Sequence, residues 1–269
     1  MTKLFQSIVD IKPPKSGDIG IEIEMEGDCG FPHDPGGIWY DTEDHSLRGY
    51  CREYVTNGPL EYEDVDSAIQ HLKNILYVHG VNMKQSFRAG VHVHINCLNL
   101  TLEQILTFAA TYYCMETALL RYCGPNRVHN LFCLRLRDAE WPLILLKKVV
   151  EGKPPSILDT DDIRYGALNL RSLFRHGTLE FRALETTPNF GKIADWAKML
   201  YRLRETSLHI VDRKDIAYDM SYFGPRDWVE KMVGPKFLKE IDYPDLEKDV
   251  IKDMRFVQEF LHTKLNVGA

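Results

Sequence analysis

The chain has 269 residues, 44% hydrophobic and 27% charged, and 33 Lys and Arg against 39 Asp and Glu leave a net charge of −6. That length and apolar content suffice for one large domain with a sizeable core, expected to span 1–269, with a core of about 19–215 and a helical extension over 216–269. The mild acidity argues against gripping nucleic acid by charge alone, and no apolar run approaches the roughly 20 residues that span a bilayer. The N-terminal stretch carries no secretion signal, so the expected location is cytoplasmic. The six cysteines are scattered without a CxxC pair and read as free thiols.

The first predicted element is a strand over 19–27. Side chains alternate along a strand, so Ile19, Ile21, Ile23 and Met25 share one face and Glu22, Glu24 and Glu26 share the other. Carboxylates about 7 Å apart on one face repel by about 2 kcal/mol at an effective dielectric of about 20. A fold tolerates such a row if water bathes it or if a cation sits over it.

Residues 28–41 are rich in Gly, Pro and Asp and predict a mobile loop leading into a short strand. A strand over 50–57 follows and stops at Gly58-Pro59. On it Glu53 is interleaved with Cys51 and Val55, which sets an acid among apolar neighbours. Residues 64–79 carry apolar residues at helical spacing, and Gly80 marks their end.

Residues 90–98 alternate as a strand, with Val91, Val93, Ile95 and Cys97 on one face and His92, His94 and Asn96 on the other. A long apolar helix is predicted over 101–122, capped by Thr101 or Asn99. Another helix is predicted over 139–150. Two strand patterns over 165–171 and 178–186 have hairpin-like spacing. In the second, Leu179, Phe181 and Ala183 face one way, and Glu180 and Arg182 the other. In the first, Tyr165, Asn169 and Arg171 share a polar face, with Arg164 at its start. A helix is predicted over 190–211. A mostly helical, polar tail follows, broken at Gly234-Pro235 and Tyr243-Pro244. Consecutive strands with one apolar face, interspersed with helices, predict an α+β fold with a mainly antiparallel sheet.

Three of these strands have an ordinary apolar face and an opposite face of ionisable groups: Glu/Glu/Glu, His/His and Glu/Arg. That combination suits Mg²⁺ with polyphosphate, since carboxylates take the metal and arginine takes phosphate oxygens. No GxxxxGK[ST] loop is present, so a P-loop site is excluded.

The ordered segments GIEIEMEG (20–27), DHS (44–46), REYVTNGPL (52–60), AGVHVHI (89–95), RYGALNL (164–170) and GTLEFRALETTPN (177–189) resemble the amidoligase family. That family is part of the carboxylate–amine ligase superfamily of glutamine synthetase and γ-glutamylcysteine ligase. The resemblance implies a glutamine synthetase-like fold: a curved antiparallel sheet with helices on the convex face, and ATP and Mg²⁺ (or Mn²⁺) on the concave face. It implies Glu22, Glu24, Glu53, His92 and Glu180 as metal ligands. His94, Arg182, Arg164 and Asn169 would contact nucleotide or phosphate, and Arg182, Glu53 and His92 would carry the catalysis. It assigns no role to Glu26, and Asp44 is left between the site wall and its own turn. The implied reaction is ATP-dependent formation of an amide or isopeptide bond through an acyl phosphate, from small-molecule or peptide carboxylates and amines. An alternative from the residues themselves is a hydrolase using His92, His94 and the carboxylates around Zn²⁺ or Mn²⁺ without ATP.

Overall fold

The strands are β1 (Ile19–Gly27), β2 (Trp39–Thr42), β3 (Tyr50–Thr56), β4 (Met83–Lys84), β5 (Gly90–Asn96), β6 (Leu168–Asn169) and β7 (Thr178–Glu185). They belong to a computed structural model that describes residues 3–84, 86–127, 130–161 and 165–262. They form one open, curved, seven-stranded sheet in the order β2-β3-β1-β5-β7-β6, with β4 paired to the end of β1. Every pairing within it is antiparallel. The helices are α1 (Val65–Val78), α2 (Leu102–Tyr113), α3 (Glu116–Cys123), α4 (Trp141–Val150), α5 (Ser172–Arg175), α6 (Phe190–Ser207), α7 (Asp215–Phe223), α8 (Pro225–Val233), α9 (Pro235–Ile241) and α10 (Leu246–His262). Among the described residues no helix is long and apolar enough to cross a membrane.

Alternation sets the two faces of the sheet. Ile19, Ile21, Ile23 and Met25 are fully buried, as are Val91, Val93, Ile95, Leu179 and Phe181. Helices α2, α3 and α6 pack on this apolar face; Phe108 and Tyr112 of α2 meet Phe181 with ring centres 5.6 and 5.0 Å apart. The opposite face carries the charged residues.

One irregularity breaks the alternation. Val93 pairs with Phe181 and Val91 with Leu184, so β7 carries one residue more than β5 between them. This bulge returns Leu184 to the core, where strict period two would have put it on the polar face.

Other departures from the sequence pattern have tertiary causes. The long helix predicted over 101–122 breaks at Cys114-Met115. The new start is capped from afar: Asp253 of α10 accepts the Thr117 N–H (2.8 Å) and hydroxyl (2.9 Å). Thr101 caps α2 in a capping box with Gln104, and Asn99 instead accepts from Arg204. The strand predicted over 165–171 shrinks to β6, because Gly166 bridges Leu134 and residues 172–175 coil into α5. Arg171 turns away to Asp159 and Asp161. The helix predicted to 211 ends at Ser207. The tail read as polar contributes Trp228, Phe237, Val257 and Phe260 to the same core, and Arg213 ties it to Glu103 (2.7 and 2.8 Å) and to the Phe260 carbonyl (3.1 Å). The six cysteines are free.

The α3–α10 contact also makes stability depend on pH. Glu116 is buried, with Oε2 accepting the Leu136 N–H at 2.9 Å and Oε1 without a partner among the described residues. Burial pushes its carboxyl up to about 8, and burial likewise pushes Asp253 up to about 6. Carboxyls in an unfolded chain titrate near about 4. Between these limits the folded chain holds protons that the unfolded chain releases, so stability falls as pH rises from about 4 to about 8. The thermal midpoint is therefore expected to be lower at pH 8 than at pH 5, and Glu116→Gln to flatten that slope. Identical slopes for the two proteins would refute this assignment.

Candidate functional site

Strand register gathers the charged residues. On the polar face Glu53 lies opposite Glu24, Glu22 opposite His92, His94 opposite Glu180, and Glu180 opposite Asn169. Adjacent strands thus set acid, imidazole and amide side by side at the roughly 5 Å of cross-strand neighbours.

His92 is the centre of the group and is 4% exposed. Its Nδ1 lies 3.2 Å from Glu22 and 3.7 Å from Glu180, and its Nε2 lies 3.6 Å from Glu24. Arg182 Nη1 donates to Glu180 (2.5 Å) and sits 3.4 Å from His92 Nδ1. Asn169 donates to the other Glu180 oxygen at 2.6 Å. His94 Nε2 lies 3.2 Å from Glu22, while its Nδ1 meets Thr178 (2.9 Å) and Ser172 (3.2 Å). Among the described residues Glu22, His92 and Glu180 form one set of potential metal ligands, and Glu24, Glu53 and His92 another. Within each set the ligand atoms lie within 4.8 Å of one another.

The electrostatics follow from crowding acids in a partly dry place. Burial alone would raise the Glu22 carboxyl, but hydrogen bonds and charge from His92 and His94 outweigh it and hold it far below the usual carboxylate range. Burial pushes Glu53 up to about 8, helped by the negative charges of Glu22, Glu24 and Asp44. Burial also raises Glu24. Glu180 is held low despite its burial, because Arg182, His94 and His92 surround it. Oxygen donors outnumber nitrogen donors in this group, and they crowd around few fixed positive charges. That composition fits a hard divalent cation such as Mg²⁺.

The residues expected to act together are therefore neighbours: Glu22, Glu24, Glu53, His92, His94, Asn169, Glu180 and Arg182. Arg164 lies outside the described residues. Glu53 faces acids, not the apolar neighbours that its sequence position predicted, because its cross-strand partner is Glu24. Glu26 stands apart; its Oε1 accepts the Arg48 N–H at 2.8 Å and so pins the turn after β2. Asp44 takes the Ser46 N–H at 2.7 Å and lines a cavity with Glu24. The loop read as mobile is tied down: Asp41 holds His33 and Asp34, Arg52 reaches both His33 and Asp41, and Tyr54 donates to the Pro32 carbonyl. Trp39 is a core residue whose indole N–H bonds the Ala68 carbonyl.

Sequence reasoning missed Arg127 and Arg88. Arg127 is buried, and its Nη2 donates to the carbonyls of Ala89 and Leu184 at 3.0 Å each, clamping β5 to β7 beside the bulge. A Cβ on Gly90 would sit 2.2 Å from that nitrogen, which explains the glycine at the start of G-V-H-V-H. That glycine was the one local signal for a close approach. Nothing in the loop around Arg127 marks it.

A search of curated proteins finds no match to this chain. The family model described as "Putative amidoligase enzyme" matches residues 53–203. Glu53, His92, His94, Asn169, Glu180 and Arg182 fall inside the matched span, and β1 with Glu22 and Glu24 precedes it. The match covers more than half of the 269 residues, and the chain belongs to this amidoligase family.

Proposed function

We propose that this chain is an ATP- and Mg²⁺-dependent carboxylate–amine ligase, built on a glutamine synthetase-like sheet whose concave face is the active site. The observation that carries the proposal is the convergence of Glu22, Glu24, Glu53, His92 and Glu180 from separate strands beside the guanidinium of Arg182. The oxygen-rich donor set would hold Mg²⁺, which supplies charge neutralisation across the phosphate oxygens. Glu22, Glu24, Glu53, His92 and Glu180 are the residues proposed to hold it. His94, Asn169 and Arg164 are proposed to meet nucleotide phosphate.

A carboxylate is a poor electrophile, so amide formation needs a better leaving group. The substrate carboxylate oxygen attacks the γ-phosphorus of ATP, the bond from that phosphorus to the β,γ-bridging oxygen breaks, and ADP leaves. An amine nitrogen then attacks the acyl carbon, the C–O bond to phosphate breaks, and the nitrogen loses a proton to solvent. Arg182, held by its hydrogen bond to Glu180, is the residue proposed to stabilise charge on the transferring phosphoryl oxygens. Asn169 holds Glu180 from its other side and so fixes the carboxylate that orients Arg182.

The hydrolase alternative is not favoured. It needs both histidines on one metal, and His94 belongs to neither ligand set among the described residues. Calorimetric titration with ATP and Mg²⁺ tests the ligase reading. The intact protein is expected to bind, and Glu22→Gln to weaken binding by about tenfold or more, as loss of a metal-site contact does. If the unaltered protein binds no nucleotide with either Mg²⁺ or Mn²⁺, the ligase reading fails.

A further inference from the structure

The row of acids and imidazoles divides the polar face into unlike cavities. One, of about 350 Å³, borders Glu22 and His94 and has largely apolar walls that include Ile21, Tyr40 and Val55. The other, of about 290 Å³, borders Glu24 and His92 and is lined by Arg88, Arg182, Phe132 and Tyr165. The second one sets Arg88, Arg127 and Arg182 against the acids Glu24 and Asp44. Both hydrogen-bonding contacts of Arg182 use Nη1, and its buried Nε has no partner among the described residues. Arg88 has no acidic partner among the described residues. Its guanidinium lies 5.3 Å from the ring centre of Phe87 and 5.6 Å from that of Phe132. Arg88 Nη1 also donates to the Ser46 carbonyl at 3.5 Å, which leaves its other N–H groups to meet a carboxylate.

The surface around this cavity is unlike an ordinary polar rim. Phe87 is 59% exposed and Leu131 is 75% exposed. Their segments meet, since Asn130, next to Leu131 in the chain, donates from Nδ2 to the Phe87 carbonyl at 2.8 Å. Phe132 meets Tyr165 edge to face at 6.4 Å, which continues the apolar collar. Exposed apolar groups gathered around a charged cavity mark a binding surface more often than scattered ones do. The cavity is also smaller than those that enclose a drug-sized ligand, so a longer substrate must extend onto the collar.

Resting on the ligase reading above, we propose that the carboxylate substrate is a peptide. Its carboxylate enters past Arg88 to reach Arg182, and its flanking residues lie across Phe87, Leu131 and Tyr165. Charge complementarity selects the carboxylate, and the collar selects a chain over a free amino acid.

The test uses the full chain, ATP, Mg²⁺ and hydroxylamine. Hydroxylamine nitrogen attacks the activated acyl carbon, phosphate leaves, and a stable hydroxamate records which carboxylate was activated. The probes are acetylated random hexapeptides with free carboxyl ends, the same peptides amidated and free of Asp and Glu, and a pool of free amino acids. Free-carboxyl peptides are expected to give about tenfold more hydroxamate than the other probes at equal concentration. Leu131→Asp and Phe87→Ser are expected to raise the half-saturating peptide concentration about fivefold, with kcat little changed. Arg88→Ala is expected to raise it further, and Arg88→Lys to restore only part. MgATP binding is measured on the same sample. Absence of MgATP binding would overturn both readings. Intact MgATP binding with peptides no better than amino acids, or with collar variants unchanged, would overturn this one alone.

Discussion

Arg182→Ala is expected to slow ATP-dependent product formation about a thousandfold, the scale seen when a preorganised positive group is removed from a phosphoryl-transfer site. The reason is geometric. Its guanidinium is fixed by the 2.5 Å hydrogen bond to Glu180 and stands 3.4 Å from His92, at the edge of the acid cluster. It needs no reorganisation when charge develops on the phosphoryl oxygens. Ground-state binding of MgATP should fall much less, because the carboxylates proposed to hold the metal remain. Arg182→Lys should recover little, since an ammonium cannot keep the Glu180 contact and present a second donor edge together. Phosphate release measured beside calorimetry separates the two effects. A loss under tenfold would remove Arg182 from the chemistry.

Phe181→Ala should be the most damaging change on the apolar face, destabilising the fold by about 3–5 kcal/mol. Phe181 is fully buried, between Glu180 and Arg182 on β7, and packs against Phe108 and Tyr112. Truncation leaves a cavity beneath the two residues proposed to orient the phosphoryl group. Denaturant unfolding would measure the loss, and a cost below about 1 kcal/mol would mean that the helices had collapsed to fill the space. Activity at low temperature should also fall, because β7 then positions Glu180 and Arg182 less firmly.

The elements that could be read from sequence are those with strong local periodicity. β1 and β5 have their alternation written in Ile/Glu and Val/His, and the structure keeps both strands and both faces. α1 follows its apolar spacing from Val65 to Leu76 and ends before a left-handed Gly80. What was hidden depends on partners far away in the chain. No local pattern reports that Asp253 will cap a helix starting at Glu116, or that Gly166 will pair with Leu134. Cross-strand register was hidden too, although the residue types were visible. That Glu53 faces Glu24, and not a core, follows from how β3 slides along β1. Arg88 and Arg127 sit outside any periodic run, so nothing distinguished them from surface arginines until the turns that carry them were placed.

The bulge in β7 has a further consequence for how this chain can change over time. Residues before it and after it count their faces from different origins. Deleting Ala183 would close the offset and leave Leu184 opposite Val91 in unbroken alternation, so the residues beyond it would keep their faces. A single-codon deletion there would therefore preserve the two faces of the strand, whereas the same loss at a regularly paired position would turn its far end over. Length at this point of β7 is open to change in a way that its face pattern is not.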